Sequence, residues 1–124
     1  MRRLMILCFL TMVMLVGLAN GVWAGKSEAS IQGPTEATKG EEVTLRITVS
    51  HSANTAGHYT EWVKVTANKK EVARWNYTKD QRPEGAVFTK VIEVKVTEDT
   101  EIVAEASCNL HGGKGPARHV IKVK

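Results

Sequence analysis

The chain reads as an all-β domain, an immunoglobulin-like β-sandwich of about seven strands. Three observations lead there. Apolar and polar residues alternate with period two in several short runs, turn-forming Gly, Pro, Asn and Asp separate those runs, and beyond the N-terminal leader no stretch keeps a helical period.

The leader precedes the fold. Arg2 and Arg3 stand before an apolar run over 4–16 that only Thr11 interrupts, and the chain then relaxes through Gly17, Asn20 and Gly21 to Val22-Trp23-Ala24. A charged start, a short apolar run and a small residue to cut after are the marks of a secretory signal peptide, 1–24, with cleavage expected after Ala24. The run is shorter than the ~20 residues a membrane-spanning helix needs, and retention as an anchor is the alternative. Cleavage would leave a domain of residues 25–124, periplasmic or secreted, with no stable membrane association. It would discard Cys8, and losing Arg2 and Arg3 would take the net charge from +4 to +2.

Composition sets further bounds. With 43% apolar and 24% charged residues among 124, the chain is neither a disordered tail nor a disulfide-dense scaffold. Its Lys and Arg are scattered without interleaved aromatics, so nucleic-acid binding is not expected. Cys108, alone in the expected mature domain, has no internal disulfide partner.

The elements follow in order. Residues 25–40 are small and polar, punctuated by Gly33, Pro34 and Gly40, and suggest an extended lead-in and a turn. Val43, Leu45, Ile47 and Val49 then alternate with Thr44, Arg46, Thr48 and Ser50, a strand with one face on a core. A polar loop over 51–57 leads to Trp62-Val63-Lys64-Val65-Thr66, which Asn68-Lys69-Lys70 turns into a hairpin partner carrying Val72, Trp75 and Tyr77. After a turn at 79–85 with Pro83, Ile92, Val94 and Val96 share one side of a strand. Glu98-Asp99-Thr100 turns the chain into a strand whose Ile102, Ala104, Ala106 and Cys108 share a face. A loop on Gly112, Gly113, Gly115 and Pro116 precedes the last strand, 118–123. Trp62 and Trp75 read as packing aromatics, and Asn76-Tyr77-Thr78 fits a glycosylation acceptor.

Chemistry concentrates in two loops. His51 and His58 lie between the first two predicted strands, and Cys108-Asn109-Leu110-His111 sets a thiol and an imidazole three residues apart on a tight turn. Imidazole nitrogen and thiolate sulfur suit iron, copper and zinc, and loops at one end of a sandwich can converge.

Ser107-Cys108-Asn109-Leu110-His111-Gly112 resembles the C-N-x-H-G signature of the superoxide reductases, the neelaredoxin and desulfoferrodoxin family, and HSANTAGHYTEW over 51–62 is similar to that family's H-P-x4-H-Y-I-E-W segment. The resemblance covers nearly all of 26–124. It implies a mononuclear non-haem iron (Fe2+/Fe3+) held by four histidines and an axial cysteine. His51, His58 and His111 match three of the histidines and Cys108 the sulfur. The implied activity is one-electron reduction of superoxide to hydrogen peroxide, with electrons from an external donor protein because no rubredoxin-like cysteine module is present. A homodimer or tetramer would accord with the family.

The departures lie at the start. The family's E-K-H-x-P motif aligns with Gly25-Lys26-Ser27, so Lys26 matches a catalytic, substrate-attracting lysine, while Ser27 stands for the fourth histidine and Gly25 for the glutamate. As a new N-terminus this segment is expected to move freely. The loop after His51 is one residue longer than usual, with Ser52 where proline is expected. His119, within a strand pattern, is a weaker candidate for the missing ligand.

Two other functions compete. One is a periplasmic iron or copper carrier or sensor without turnover, which the loss at Ser27 favours. The other is a sulfur-oxidation carrier module, because Ser50-His51 and Gly57-His58-Tyr59 are similar to a stretch in the sandwich subunit of the thiosulfate-oxidising carrier complex. The Cys108 to His111 turn speaks against it.

Overall fold

The computed structural model describes residues 25–124. The expected signal peptide, with Cys8, lies outside them. Eight strands are present among the described residues: β1 (Glu28–Gln32), β2 (Glu36–Ala37), β3 (Glu41–Ser50), β4 (Thr60–Ala67), β5 (Lys70–Asn76), β6 (Val87–Val96), β7 (Thr100–Cys108) and β8 (Ala117–Val123). A three-stranded sheet, β1-β3-β6, packs on a five-stranded one, β2-β8-β7-β4-β5.

The alternating runs all become strands. The segment 25–40 corrects the lead-in reading, since it holds β1 and β2. Strand β1 pairs antiparallel with β3, Ala29 opposite Val49 and Ile31 opposite Ile47. Its pattern is short, with only Ala29 and Ile31 facing inward, so β3 defines it more than its own sequence does. Strand β2 joins β8 in parallel through Ala37 and Val123.

Inward rows from both sheets meet in one core. Leu45, Ile47 and Val49 of β3, Val63 and Val65 of β4, Ile102 and Ala104 of β7 and Ile121 of β8 are fully buried. Each larger side chain contributes about 1.5–3 kcal/mol by leaving water. The β4–β5 hairpin turns on Asn68 and Lys69, both with positive φ, 46° and 70°. That backbone suits the right-handed twist of a two-residue hairpin. Trp75 packs against the core. Trp62 is half-buried, with the Arg74 guanidinium 5.5 Å and the Lys64 ammonium 5.8 Å from its ring centre.

Three inward rows run off the same end of this core. The β3 row Val43, Leu45, Ile47, Val49 continues with period two to His51, which is buried just past the strand. The β7 row Ile102, Ala104, Ala106 ends on buried Cys108. The row of Ala29 runs backwards through Ser27 to Gly25, both buried. The site is the open end of the hydrophobic core, where these rows converge.

Candidate metal centre

His51 is fixed by its backbone N–H, which donates to Ala86 O at 2.9 Å. His58 sits on a tight turn in which Thr55 N donates to His58 O at 2.8 Å and His58 N returns to Thr55 O at 3.1 Å. Cys108 opens a second turn, closed by Cys108 N to Gly112 O at 2.9 Å and Gly112 N to Cys108 O at 3.2 Å.

Asn109 joins the two turns. Its Oδ1 accepts from Tyr59 N at 3.0 Å, its Nδ2 donates to Gly57 O at 3.1 Å, and its own N–H donates to Tyr59 O at 3.1 Å. These three bonds set His58 against Cys108. The sequence showed Asn109 only as a letter of the motif, because its partners lie about fifty residues away.

The outcome is a compact donor cluster. One ligand atom from each of His51, His58 and Cys108 lies within 4.8 Å of the others. The His51 and His58 ring centres are 4.5 Å apart and nearly perpendicular, at 86°. The His111 ring stands edge-on to His58, 5.2 Å away and at 82°, on the exposed rim. The structure thus brings together the four donors singled out from sequence, three in the cluster and His111 beside it.

The other candidates are placed differently. Lys26 is exposed, between buried Gly25 and buried Ser27. His119 is on β8, its Nε2 2.9 Å from Pro34 O, and belongs to no donor cluster among the described residues. Ser27 is only 1% exposed and its hydroxyl shares a 2.8 Å hydrogen bond with Thr60 Oγ1 rather than turning to the imidazoles. Its backbone is stitched to the second turn, Ser27 N to Gly112 O at 3.2 Å and Lys114 N to Ser27 O at 3.0 Å. The freely moving start expected from sequence is therefore corrected: the segment is an extra strand-like edge. Gly113, which pairs with Ser27, has to be a glycine for another reason, since a Cβ there would run into Ala106 O of β7.

The residue of this segment that meets the histidines is Gly25, two positions earlier on the same inward row. Its carbonyl oxygen is 3.0 Å from His51 Nε2. Its φ is +88°, and a Cβ on it would collide with the His111 ring, 2.9 Å from Nε2. The glycine is required both by the backbone and by the imidazole.

Three details fit a cation. His58 Nε2 is buried without a hydrogen-bond partner. His51 faces two carbonyls, Ala53 O at 2.7 Å from Nδ1 and Gly25 O at 3.0 Å from Nε2. An imidazole with one N–H cannot donate to both carbonyls, so one ring nitrogen of His51 is left to a cation. The Cys108 Sγ accepts the Leu110 N–H at 3.4 Å and lies 3.7 Å from Asn109 Oδ1, contacts that hold the sulfur in place beside the imidazoles.

Beside the site, the loop that follows β5 carries an ionised group of its own. Asn54 Nδ2 donates to Pro83 O at 2.9 Å, tying the His51 loop to it. Hydrogen bonding to Lys90 holds the Glu84 carboxyl below its ordinary range, and Glu84 in turn raises the Lys90 ammonium. Burial pushes the Tyr77 phenol above its usual value, with Lys90 working against it.

The fold and this cluster define a class: β-sandwich proteins with a mononuclear His/Cys metal site at one end of the core. The chain belongs to the desulfoferrodoxin family, whose model matches residues 24–113. That family binds a mononuclear iron, and the donor set here fits one.

Solved structures agree on the fold. The superoxide reductase (neelaredoxin) of Ignicoccus hospitalis is 21% identical with a TM-score of 0.63, covering 78% of this chain and 80% of its own. A superoxide reductase structure from Thermotoga maritima is 23% identical with a TM-score of 0.56, covering 78% and 86%. The sulfur carrier protein SoxY from Chlorobium limicola is 16% identical with a TM-score of 0.52, covering 82% and 86%. No curated protein matches the chain.

Proposed function

We propose that the protein is an exported superoxide reductase, in which His51, His58, His111 and Cys108 hold an iron that reduces superoxide to hydrogen peroxide. The observation that carries this reading is the His51, His58 and Cys108 cluster within 4.8 Å, with His58 Nε2 left partnerless in a chain of this family. The reaction takes one electron and two protons per superoxide, the electron from an external donor protein and the protons from water.

The bound iron supplies the one-electron couple. The chain supplies the rest. Cys108 Sγ would hold the iron and give it electron density, which the Leu110 N–H on Sγ would temper. The histidines match an oxidation state that must cycle, and the exposed rim at His111 leaves an approach open to a small anion. Lys26, exposed one residue beyond Gly25, adds positive charge at that approach.

A second reading has an observation of its own. No side-chain imidazole occupies Ser27, whose hydroxyl is taken by Thr60, and this favours a periplasmic metal carrier or sensor without turnover.

One experiment tests both. Residues 25–124, which contain all eight strands, are purified anaerobically, loaded with ferrous iron and oxidised, for wild type and Cys108→Ser. A thiolate-to-ferric charge-transfer band in the wild type that is lost in Cys108→Ser is the expected result, with pulse-radiolysis rates then separating reductase from carrier. Retention of iron with the same spectrum in Cys108→Ser sinks the site assignment.

A further inference from the structure

On the N-terminal side of the donor cluster the group that meets the imidazoles is a backbone. Gly25 is buried against the imidazoles: its carbonyl oxygen is 3.0 Å from His51 Nε2, and a Cβ on it would run into the His111 ring. No side chain can be placed here without displacing His111. Ser27, where the family motif places a histidine, spends its hydroxyl on Thr60.

Gly25 is also the residue that cleavage after Ala24 would make the first of the mature chain. Its nitrogen would then change from an amide, whose lone pair is delocalised, to a primary amine, a good donor to iron, copper or cobalt. An amine and the carbonyl of its own residue close a five-membered ring on a metal ion, and the Gly25 carbonyl already points at His51 Nε2. The end is held in place two residues later, where Ser27 hydrogen-bonds Gly112 and Lys114 of the Cys108 turn.

We propose that the α-amine of Gly25, released by cleavage after Ala24, is the nitrogen donor that completes the His51, His58, His111 and Cys108 centre. The inference rests on the metal-centre reading above and on that cleavage point. It makes signal removal an assembly step, since the uncut chain lacks the donor. The amine binds as its free base, and the proton it gives up passes to solvent.

The test compares three forms of residues 25–124: one beginning at Gly25, one retaining Ala24, and one acetylated at Gly25. Co(II) is titrated into each anaerobically and followed by its visible spectrum. The Gly25 form is expected to bind at least about 10-fold more tightly than the other two, since even a partner that only supports a ligand is worth that much. A second readout is independent of affinity: Co(II) should protect the Gly25 amine, and not the lysines, from acylation read by mass spectrometry.

Equal affinity and equal spectra in all three forms, or an unprotected amine, overturn the proposal while leaving the metal centre intact. Failure of all three to bind Co(II) or Fe(II) removes the metal-centre reading, and this inference with it. Export of the full chain in a bacterial host followed by intact mass must give a chain starting at Gly25; any other start overturns the proposal.

Discussion

At the end of the sandwich away from the histidines, Asn68 bridges two turns as Asn109 does at the other end. Asn68 Nδ2 donates to Asp99 O at 3.1 Å and Glu98 Oε1 at 3.3 Å, while its Oδ1 accepts from Glu101 N at 2.8 Å. Asp99 Oδ1 accepts in turn from Val123 N at 2.9 Å. That end closes on itself. At the histidine end, beside the Asn109 clamp, His58 Nε2 has no partner and two carbonyls face His51. A buried polar atom without a partner costs about 1–3 kcal/mol, so the two ends divide the labour: one stabilises the fold, the other holds a cost that a cation relieves.

The comparison is broken most directly at His58. His58→Ala should weaken Fe(II) or Co(II) binding by more than about 100-fold, beyond the loss typical of a supporting residue. The metal-free domain should unfold at an unchanged or higher temperature, because an orphaned nitrogen has been removed. A metal-free variant clearly less stable than wild type would show that His58 is a structural residue.

Asn109→Ala comes next. Freeing the His58 turn from the Cys108 turn should lower metal affinity by about 10–100-fold, as for other supporting residues. Equilibrium dialysis against Co(II) checks it, and unchanged affinity would mean that the turns hold their places without the clamp.

Asn68→Ala should reverse the pattern. It should cost the fold about 1 kcal/mol, from exposed hydrogen bonds lost and an alanine left at φ +46°, with metal affinity unchanged. Urea unfolding with and without Co(II) separates the two effects.

The smallest effect is at Asp99. The Val123 N–H holds its carboxyl below the ordinary 3.8. A carboxyl lowered in the folded state contributes stability above its unfolded value, and that contribution is lost as pH falls from about 3.8 through the lower folded value. Asp99→Asn should therefore flatten the acid slope of stability in that window and leave metal binding at neutral pH alone. An unchanged slope below pH 4 would place the acid sensitivity elsewhere.

Several features were legible in the chain because they are local. The alternation in β3, β6 and β7 needs only near neighbours, and Asn68-Lys69 marks its own turn. Cys108 and His111 are close along the chain, so their meeting was readable from a spacing. Strand β1 is not legible because it offers only two inward residues, Ala29 and Ile31, and its partner supplies its register. Ser27 aligns with the family's histidine because a motif alignment counts residues, whereas the residue that lies against the imidazoles is Gly25, two residues earlier on the same face.

By itself the sequence determined the all-β class, the inward rows and the donor types, since period-two patterning and side-chain chemistry are properties of short segments. Only the tertiary structure decided that the rows of β1, β3 and β7 end at one place. It also decided that Asn109 sets His58 against Cys108 and that a glycine backbone, rather than a side chain, lies against His51 and His111. Those facts depend on which strands pair and in which register, and register is settled by the whole core at once.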